Sequence, residues 1–494
     1  QNEKLFLARD LTGIKPLYYY TANRVFLFSS ELRAILDSHL DSRRLSPEGL
    51  ASYLECGSVQ TPWTIIEGVR SLEPGHYMVV EPEVTGLSIK KLSYVGEAFS
   101  GTPVPGVSDR RQAVELLREL LAESVCLHLT SDVPLGVFLS GGIDSSALVA
   151  LMSEVSAARP KSFSVVFAER EFSESSYSRL VAKKFNTEHQ EIRLSEGELP
   201  SLLPEALAAM DQPTMDGINT YVISKCVKEA GVTVALSGLG GDELFGGYPS
   251  FRRVKCFKAI SRLPRMLRKV VSAAGRAAIN GSVSERKFWE MVGGDGSPET
   301  TYRVSRQLFS LDEARHLMRS RSAPFAGASC DHSLNGDPIN AVSLYELQGY
   351  MANTLLRDTD CMSMARALEV RVPFLDTKVI SFVLGLPGAW KIDGRRPKPL
   401  LLDALRDLLP EEIWRRPKMG FTFPFERWMR GRLKPEIEGV LASGASTIAA
   451  LGIDPGETAR VWRAFAKKPQ SVGWTRPWAL YVLLRWCELH RVIL

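Results

Sequence analysis

Small and polar residues that could hold a phosphate group follow an apolar run at residues 136–139. The run predicts a buried parallel strand, and a helix is predicted to begin near Asp144. Glycines let a backbone approach an anion closely, and the N–H groups at the start of a helix attract it. Hydroxyl groups beside them add further donors. The candidate nucleotide-binding residues are Leu139, Ser140, Gly141, Gly142, Asp144, Ser145 and Ser146.

Asp144 has the wrong charge for direct contact with a phosphate. A carboxylate is compatible with a bound nucleotide when a divalent cation lies between the two, so Asp144 predicts Mg²⁺ as well as the nucleotide. No lysine follows the glycines, which distinguishes this loop from the Walker type. An ordinary Ser/Gly turn between a strand and a helix is the alternative.

A second glycine-rich turn, at residues 237–241, follows a predicted strand at 232–236. Asp242 comes directly after this turn, as Asp144 comes after the first. Because both turns should lie at the carboxyl edge of one sheet, we expect Asp144 and Asp242 to share a metal ion on the phosphates. Glu243 could approach that ion or cap the next helix. The nucleotide-binding residues of this turn are predicted to be Ser237 and Gly238.

Strands and helices alternate along the middle of the chain in the order typical of an α/β fold. Strands are predicted at residues 162–167 and 188–194, and helices at 114–125, 173–185 and 219–230. The alternation predicts a doubly wound parallel sheet, with adenine against its second strand near Val165. The rest of the chain is predicted to be largely helical, with a buried terminal helix at residues 478–486 and further helices at 344–356 and 358–369.

The first 99 residues have a different pattern, in which short apolar or aromatic runs are separated by turn residues. This pattern predicts a β-rich domain. Residues 100–109 are rich in Pro, Gly and Ser and are predicted to form a linker to a second domain at 110–494. The chain starts with Gln1 and enters a strand-like run at once, so we expect it to begin inside a domain.

Composition limits the classes of function. The seven cysteines have no paired spacing, which favours a reducing, cytoplasmic location. No run of eighteen apolar residues predicts a membrane span, and no basic arm interleaved with aromatic residues predicts a nucleic-acid partner. Residues 252–287 are strongly basic; we expect a solvated helix pair there, and binding to an anionic membrane or an acidic partner is the alternative.

Several segments resemble the glutamine-hydrolysing asparagine synthetase family, and the resemblance covers nearly the whole chain. In the second domain they are SDVPLGVFLSGGIDSS, LSGLGGDELFGGY, MSMARALEVRVPFLD and RRPKMGFTFPF, in the family's order. In the first domain LARDLTGIKPLYYY, SSELRAIL and SLEPGHYMVV resemble the second half of a class II glutaminase domain of the N-terminal-nucleophile type. The resemblance implies a partial glutaminase domain fused to an ATP pyrophosphatase-type synthetase domain.

The resemblance also implies a reaction and its substrates. ATP would activate the side-chain carboxylate of aspartate as an acyl-adenylate with loss of pyrophosphate, and ammonia from glutamine would give asparagine and AMP. Lys418 matches the lysine that neutralises phosphate charge, and Asp242 is assigned to the metal and to catalysis. We expect roughly a hundred residues, with the glutaminase cysteine, to precede Gln1. Cys56 is internal and is interpreted as a packed residue.

Leu239 departs from the family, which commonly has an acidic catalytic residue after the Ser-Gly of the second turn. A leucine cannot move a proton, so either Asp360 or Glu369 replaces the missing acid or the acceptor is not aspartate. Aspartate is the first substrate we consider, and the alternatives are a sugar acid, a natural-product precursor or a β-lactam-type cyclisation. A tRNA-modifying enzyme is disfavoured because no catalytic cysteine pair is present. A non-catalytic ATP-binding scaffold and a homodimer both remain open.

Overall fold

The structure is a computed structural model that describes residues 4–22, 24–38, 43–83, 86–167, 175–194, 197, 199–278, 282–319, 336–418 and 423–493. Eleven strands lie in these ranges. They are β1 (Leu5–Ala8), β2 (Tyr18–Ala22), β3 (Val25–Ser29), β4 (Val69–Ser71), β5 (His76–Glu83), β6 (Gly86–Ser93), β7 (Leu135–Phe138), β8 (Lys161–Phe167), β9 (Glu188–Leu194), β10 (Val234–Leu236) and β11 (Glu369–Arg371).

The first twelve helices of the described ranges run to Arg306. They are α1 (Leu32–Asp37), α2 (Pro47–Cys56), α3 (Arg110–His128), α4 (Ile143–Val155), α5 (Ser175–Lys184), α6 (Leu199–Ala209), α7 (Ile218–Glu229), α8 (Gly241–Phe245), α9 (Pro249–Ile260), α10 (Arg265–Ala278), α11 (Val283–Gly293) and α12 (Pro298–Arg306).

Twelve more follow in the described part of the chain. They are α13 (Leu311–Leu317), α14 (Pro338–Glu346), α15 (Arg357–Met364), α16 (Thr377–Gly385), α17 (Pro399–Ala404), α18 (Glu411–Arg415), α19 (Phe425–Arg430), α20 (Lys434–Glu438), α21 (Ala445–Ala450), α22 (Pro455–Lys467), α23 (Pro469–Val472) and α24 (Thr475–Leu489). A π-helix at Leu347–Leu356 joins α14 to α15.

The first part of the chain is β-rich, as its turn spacing predicts. Two antiparallel three-stranded sheets form there, with strand orders β1-β5-β6 and β3-β2-β4. Helix α2 starts at an N-cap serine, Ser46, whose hydroxyl accepts a hydrogen bond from the Gly49 N–H at 3.0 Å. The aromatic and β-branched residues of β2 and β3 suit the half-buried faces of such sheets.

The central sheet has five parallel strands in the order β11-β10-β7-β8-β9. In chain order this arrangement reverses direction between β7 and β10, which is the switch point of a doubly wound sheet. The two glycine-rich turns follow these two strands, so both lie at the edge where such folds bind ligands. The predicted fold class is therefore confirmed.

Two large hydrophobic clusters hold the molecule together. One surrounds β7 and α4 and includes fully buried Leu148 and Phe374. The other combines residues from both sides of the predicted linker, including Tyr53 of α2 and Trp478 of α24. The predicted terminal helix is thus buried in a core that the first 99 residues complete.

One helix ends earlier than its sequence pattern predicts. Residues 358–369 are predicted as a helix, but α15 stops at Met364 and Ala367 has a positive φ of 52°. The left-handed residue reverses the chain, and Glu369 then starts β11. The helix predicted at 173–185 begins outside the described residues, which include α5 from Ser175. Within the described ranges, none of the helices combines the length and apolarity that crossing a bilayer demands.

Candidate active site

The first turn is fixed to the sheet by its leading residue. The Leu139 N–H donates to the Phe163 carbonyl at 2.8 Å, and the Leu139 carbonyl accepts from the Ser164 hydroxyl. Gly141 has a φ of 73°, and a Cβ there would lie 2.7 Å from the Tyr177 Cβ. Glycine is therefore required at 141 both for its conformation and for its close approach to α5.

The hydroxyls of this turn are held close to the start of α4. Ser140 Oγ and Ser145 Oγ are 3.1 Å apart, and Ser145 also donates to the Gly142 carbonyl at 3.2 Å. The Ser146 hydroxyl is fully buried and has no hydrogen-bond partner among the residues that the structure describes. A buried hydroxyl of this kind is costly unless something completes its bonding.

The second turn interlocks with the first. The Ser237 N–H donates to the Arg371 carbonyl at 2.8 Å, which fixes the turn to β11. A Cβ on Gly238 would lie 2.8 Å from the Asp144 Cβ, and one on Gly241 would lie 2.4 Å from Asp144 Oδ1. Because Gly238 and Gly241 have no side chains, the Asp144 side chain can extend from α4 to the second turn.

Lys398 joins the two predicted aspartates. Its Nζ lies 2.5 Å from an oxygen of Asp144 and 2.5 Å from Asp242 Oδ1. The lysine side chain is only 4% exposed and precedes α17 in a left-handed conformation with a φ of 48°. The structure thus brings Asp144 and Asp242 together around one buried cation.

The sequence analysis missed Lys398. The available signal was a lysine directly before the run Pro399-Leu400-Leu401-Leu402, all of which is buried. A charged side chain at the border of such a run is expected to have a buried partner. Nothing in that local pattern identifies the partner, because both aspartates lie more than 150 positions away.

Burial and the two lysines act in opposite directions on the pKa values of the carboxylates. Burial raises the pKa of Asp144 despite the opposing effect of Lys398. Burial also acts to raise the pKa of Asp242, but Lys398 and Lys418 outweigh it and lower the value to about 2. The two aspartates in turn outweigh the burial of Lys398 and raise its pKa. Asp242 is therefore ionised, beside a fully charged lysine.

Lys418 reaches the same cluster from the other side. Its Nζ lies 2.6 Å from Asp242 Oδ2 and donates to the Gly247 carbonyl at 3.3 Å. The ammonium also lies 4.6 Å from the centre of the Tyr248 ring. Unlike Lys398, this side chain is half exposed, so it faces both the carboxylate and the solvent-accessible side of the crevice.

Arg416 contributes a further positive group near the first turn. Its guanidinium donates to the Gly141 carbonyl at 3.0 Å and lies 4.3 Å from the Tyr177 ring centre. Residues 416–418 therefore contact both loops, through Arg416 at the first and Lys418 at the second.

Glu243 is not part of this cluster. The carboxylate is buried and accepts a hydrogen bond from the Tyr248 hydroxyl at 2.7 Å. Burial and the neighbouring Asp242 raise its pKa to about 7. Glu243 lies in the first turn of α8, where a carboxylate is favourable, and its approach to a metal ion stays a prediction.

Both candidates for a replacement acid are paired with cations. Asp360 pairs with Lys15 of the first domain at 2.5 Å. Glu369 pairs with Arg371 at 2.7 Å and lies opposite Val234 at the start of β10. The replacement of the missing acid by Asp360 or Glu369 stays a prediction. Leu239 itself is half-buried and packs against the cluster around α4.

Val165 lies on β8, the strand next to β7. Its side chain is half-buried and packs against two hydrophobic clusters. A contact of Val165 with adenine stays a prediction. Cys56 is a free cysteine whose thiol pKa burial raises, which agrees with its interpretation as a packed residue.

Comparison with known proteins gives two family matches. Residues 116–488 match the asparagine synthase family, and residues 1–91 match the glutamine amidotransferase domain. The chain is 31% identical over 447 residues to asparagine synthetase [glutamine-hydrolyzing] 1 of Bacillus subtilis, covering 88% of this chain and 68% of that protein.

More distant relatives are also similar over most of the chain. A putative glutamine-hydrolysing asparagine synthetase of Mycobacterium tuberculosis is 29% identical over 442 residues, which is 86% of this chain and 66% of the relative. Amidase chry2 of Gibberella zeae is 24% identical over 480 residues, which is 88% and 70% respectively. The chain thus spans about two thirds of the length of the curated relatives it matches.

A doubly wound sheet with two glycine-rich turns and a shared carboxylate cluster at its switch point, together with these matches, defines an ATP-dependent amide-forming ligase. The chain belongs to the asparagine synthase family, and its first domain is of the glutamine amidotransferase type. The family resemblance predicted from the sequence is confirmed.

Proposed function

We propose that the protein activates the side-chain carboxylate of aspartate as an acyl-adenylate, with release of pyrophosphate, and that ammonia then attacks the acyl carbon to give asparagine and AMP. The observation that supports this proposal is the meeting of Asp144, Asp242, Lys398 and Lys418 at the switch point of the parallel sheet. Ligand binding at that point is the rule for doubly wound folds.

The donor set fits Mg²⁺. The described residues contain no group of three or more His, Cys, Asp or Glu that could hold a metal ion. Asp144 and Asp242 would supply two carboxylates, and the remaining ligands would come from the nucleotide and water. Mg²⁺ commonly takes one or two protein carboxylates and completes its shell with phosphate oxygens and water. When bound, the ion would reduce the negative charge of the nucleotide phosphates.

The two lysines are given different tasks by their burial. Lys398 holds the two carboxylates together and acts as a positioning residue, because it is buried and pairs with both of them. Lys418 is half exposed and can reach a phosphate while it contacts Asp242. We assign to Lys418 the stabilisation of negative charge on pyrophosphate as the bond to the α-phosphate breaks.

The amination step of this chain can be tested with ammonia as the nitrogen donor. The first domain matches the glutamine amidotransferase domain, and relatives are named glutamine-hydrolysing enzymes. We propose that glutamine is the nitrogen source and that residues 110–494 use the ammonia released from it. Ammonium is the donor in the assay, because it tests the synthetase reaction without the glutaminase step.

Leu239 favours a second candidate, which is the same chemistry on another carboxylate. A half-buried leucine supplies no acid at a position where the family commonly has one, and Glu369 is held in an ion pair with Arg371. The acceptor would then be a sugar acid, a natural-product precursor or the substrate of a β-lactam-type cyclisation, and its reaction would not need an acidic side chain at position 239.

Pyrophosphate release with ATP, Mg²⁺ and ammonium tests the proposal. Aspartate is the first carboxylate, other acids form a panel, and asparagine is detected by mass. Lys418→Ala is expected to lower pyrophosphate release by about 100- to 1000-fold. Arg415→Ala is the matched control, since Arg415 is exposed and pairs only within α18 among the described residues.

The outcomes separate the candidates. Release of pyrophosphate with aspartate but without asparagine would show that aspartate is activated and that ammonia is not the nucleophile. Release of pyrophosphate only with another acid would establish the second candidate. ATP binding in calorimetry without pyrophosphate from any acid would support a non-catalytic scaffold and reject both enzymatic proposals.

A further inference from the structure

Helix α10 exposes its apolar face, whereas an ordinary surface helix buries it. Its apolar side chains point to solvent, with Met266 74% and Val270 62% exposed. Further exposed apolar side chains of the same face and the preceding turn are Leu263, Leu267 and Val271. Residues 263, 266, 267, 270 and 271 recur at the spacing of a single helix face. An exposed apolar stripe of this kind marks an interaction surface.

The helix is held to the protein by its other side. Ser272 is buried and its hydroxyl donates to the Trp289 carbonyl at 2.6 Å. A Cβ on Gly275 would lie 2.3 Å from the Trp289 ring, so the backbone of α10 rests against α11 there. Arg268 is buried and donates to the Leu263 and Gly294 carbonyls. The outward apolar face is thus fixed by specific contacts.

The surroundings of this face are strongly basic. Residues 249–284 contain no aspartate or glutamate, while the whole chain has a net charge of only +5. The charge of this segment alone exceeds that value, so the rest of the chain is net acidic. The basic residues of the segment are Arg252, Arg253, Lys255, Lys258, Arg262, Arg265, Arg268, Lys269 and Arg276.

Charge and apolar groups are arranged side by side around α10. On a helical projection, Arg265, Lys269 and Arg276 form one row between the buried side of α10 and the Met266 edge of its exposed apolar face. All three are exposed. A helix whose apolar face is bordered by lysine and arginine matches the interfacial type that lies in the plane of an anionic lipid surface.

We infer that α10 docks the protein on an anionic membrane surface, with Met266, Leu267 and Val270 entering the headgroup region and the flanking lysines and arginines contacting lipid phosphates. Absence of acidic residues favours an anionic lipid over a neutral one, since each basic residue near such a surface adds to the attraction. This inference is independent of the proposed reaction.

Vesicle co-sedimentation of the full chain, without nucleotide, tests the inference. We expect binding to vesicles of phosphatidylcholine with phosphatidylserine and little binding to phosphatidylcholine alone, with a loss at high salt. Met266→Ser with Val270→Ser, and Arg265→Glu with Lys269→Glu, should each lower partitioning by about tenfold or more. These side chains are exposed, so the variants should fold, as circular dichroism would check.

A matched control changes the net charge by the same amount elsewhere. Lys467→Glu with Lys468→Glu reverses the charge of two exposed lysines at the end of α22 and should leave partitioning unchanged. The inference is overturned if the wild type does not bind anionic vesicles, or if both α10 variants bind like the wild type.

Other partners give distinct results that also reject the inference. A second copy of the chain on this face would appear in light scattering as a dimer that Met266→Ser with Val270→Ser dissociates, without vesicle binding. A nucleic acid would bind with sensitivity to Arg265→Glu with Lys269→Glu and none to the apolar pair.

Discussion

Lys398 lies where the two glycine-rich turns meet. Its buried ammonium forms the ion pairs that join Asp144 of the first turn to Asp242 of the second. Replacing it with methionine keeps the length of the side chain and removes the charge. Asp144 and Asp242, each about one-fifth exposed, would then face each other without the buried cation between them. Breaking a buried ion pair from one side costs about 3–5 kcal/mol, so Lys398→Met should lower the free energy of unfolding by that order in denaturant titrations.

Magnesium separates this effect from simple loss of packing. If the carboxylates form the metal site, Mg²⁺ should raise the melting temperature of Lys398→Met more than that of the wild type, because the ion replaces the missing cation. Lys398→Arg keeps the charge. Its loss of unfolding free energy and its Mg²⁺-dependent rise in melting temperature should both be smaller than those of Lys398→Met. A methionine variant as stable as the wild type and indifferent to Mg²⁺ would contradict the bridging role.

Lys391 gives a pH-dependent prediction. It is fully buried, its Nζ donates to the Ser343 hydroxyl at 3.2 Å, and burial lowers its pKa from 10.5 to about 7 against the weaker influence of Asp337. The unfolded chain binds this proton below about pH 10.5 and the folded chain only below about pH 7. Stability should therefore fall as pH decreases through this window and level off below it.

Lys391→Met should remove this contribution. In urea titrations at about pH 9 and about pH 7, the variant should lose less stability on acidification than the wild type, and it should be the more stable protein at about pH 7. The exposed Lys467→Met is the control and should follow the wild type. Parallel pH dependence in wild type and Lys391→Met would refute the prediction.

Among the helices, the start of α4 depends on a single glycine. Gly141 has a positive φ of 73° and backs onto Tyr177 and Ser178 of α5, whereas Gly142 has an ordinary φ of −76° and only the Ser140 hydroxyl near its missing Cβ. Gly141→Ala should therefore distort the loop, and Gly142→Ala should be much milder.

Calorimetry with MgATP measures the difference between these two variants. We expect Gly141→Ala to weaken nucleotide affinity by more than about tenfold and Gly142→Ala to weaken it less, because only the first needs both a strained backbone and displacement of α5. Equal affinities for the two alanine variants would show that the loop does not approach the nucleotide in the way its backbone suggests.

The order of elements could be predicted from the sequence, since apolar runs followed by Gly-rich turns mark the ends of β7 and β10. The end of α15 could not, because a left-handed Ala367 has no local sequence signal. Lys398 was missed for a related reason: its partners are distant in sequence. The periodicity of α10 predicts two unlike faces, but only the tertiary structure determines which of them faces solvent.

In the whole molecule, the first 99 residues and the C-terminal helices form one core. The Tyr53 hydroxyl donates to the Ala479 carbonyl at 2.7 Å, and Arg357 donates to the Val59 carbonyl at 2.9 Å. Tyr53 and Ala479 are fully buried in the same hydrophobic cluster. The predicted linker therefore connects two segments of sequence whose side chains share an interior, and separating them would expose that interior.

Cleavage of the linker tests this shared core. Gly106 is exposed with open space around it, so a protease site inserted there should be accessible without disturbing either side. After cleavage the two fragments should co-elute in size-exclusion chromatography and unfold in a single thermal transition, because neither can bury its half of the core alone. The uncleaved insertion protein is the control. Separate elution, or two transitions after cleavage, would mean that the segments are independent domains held only by the chain between them.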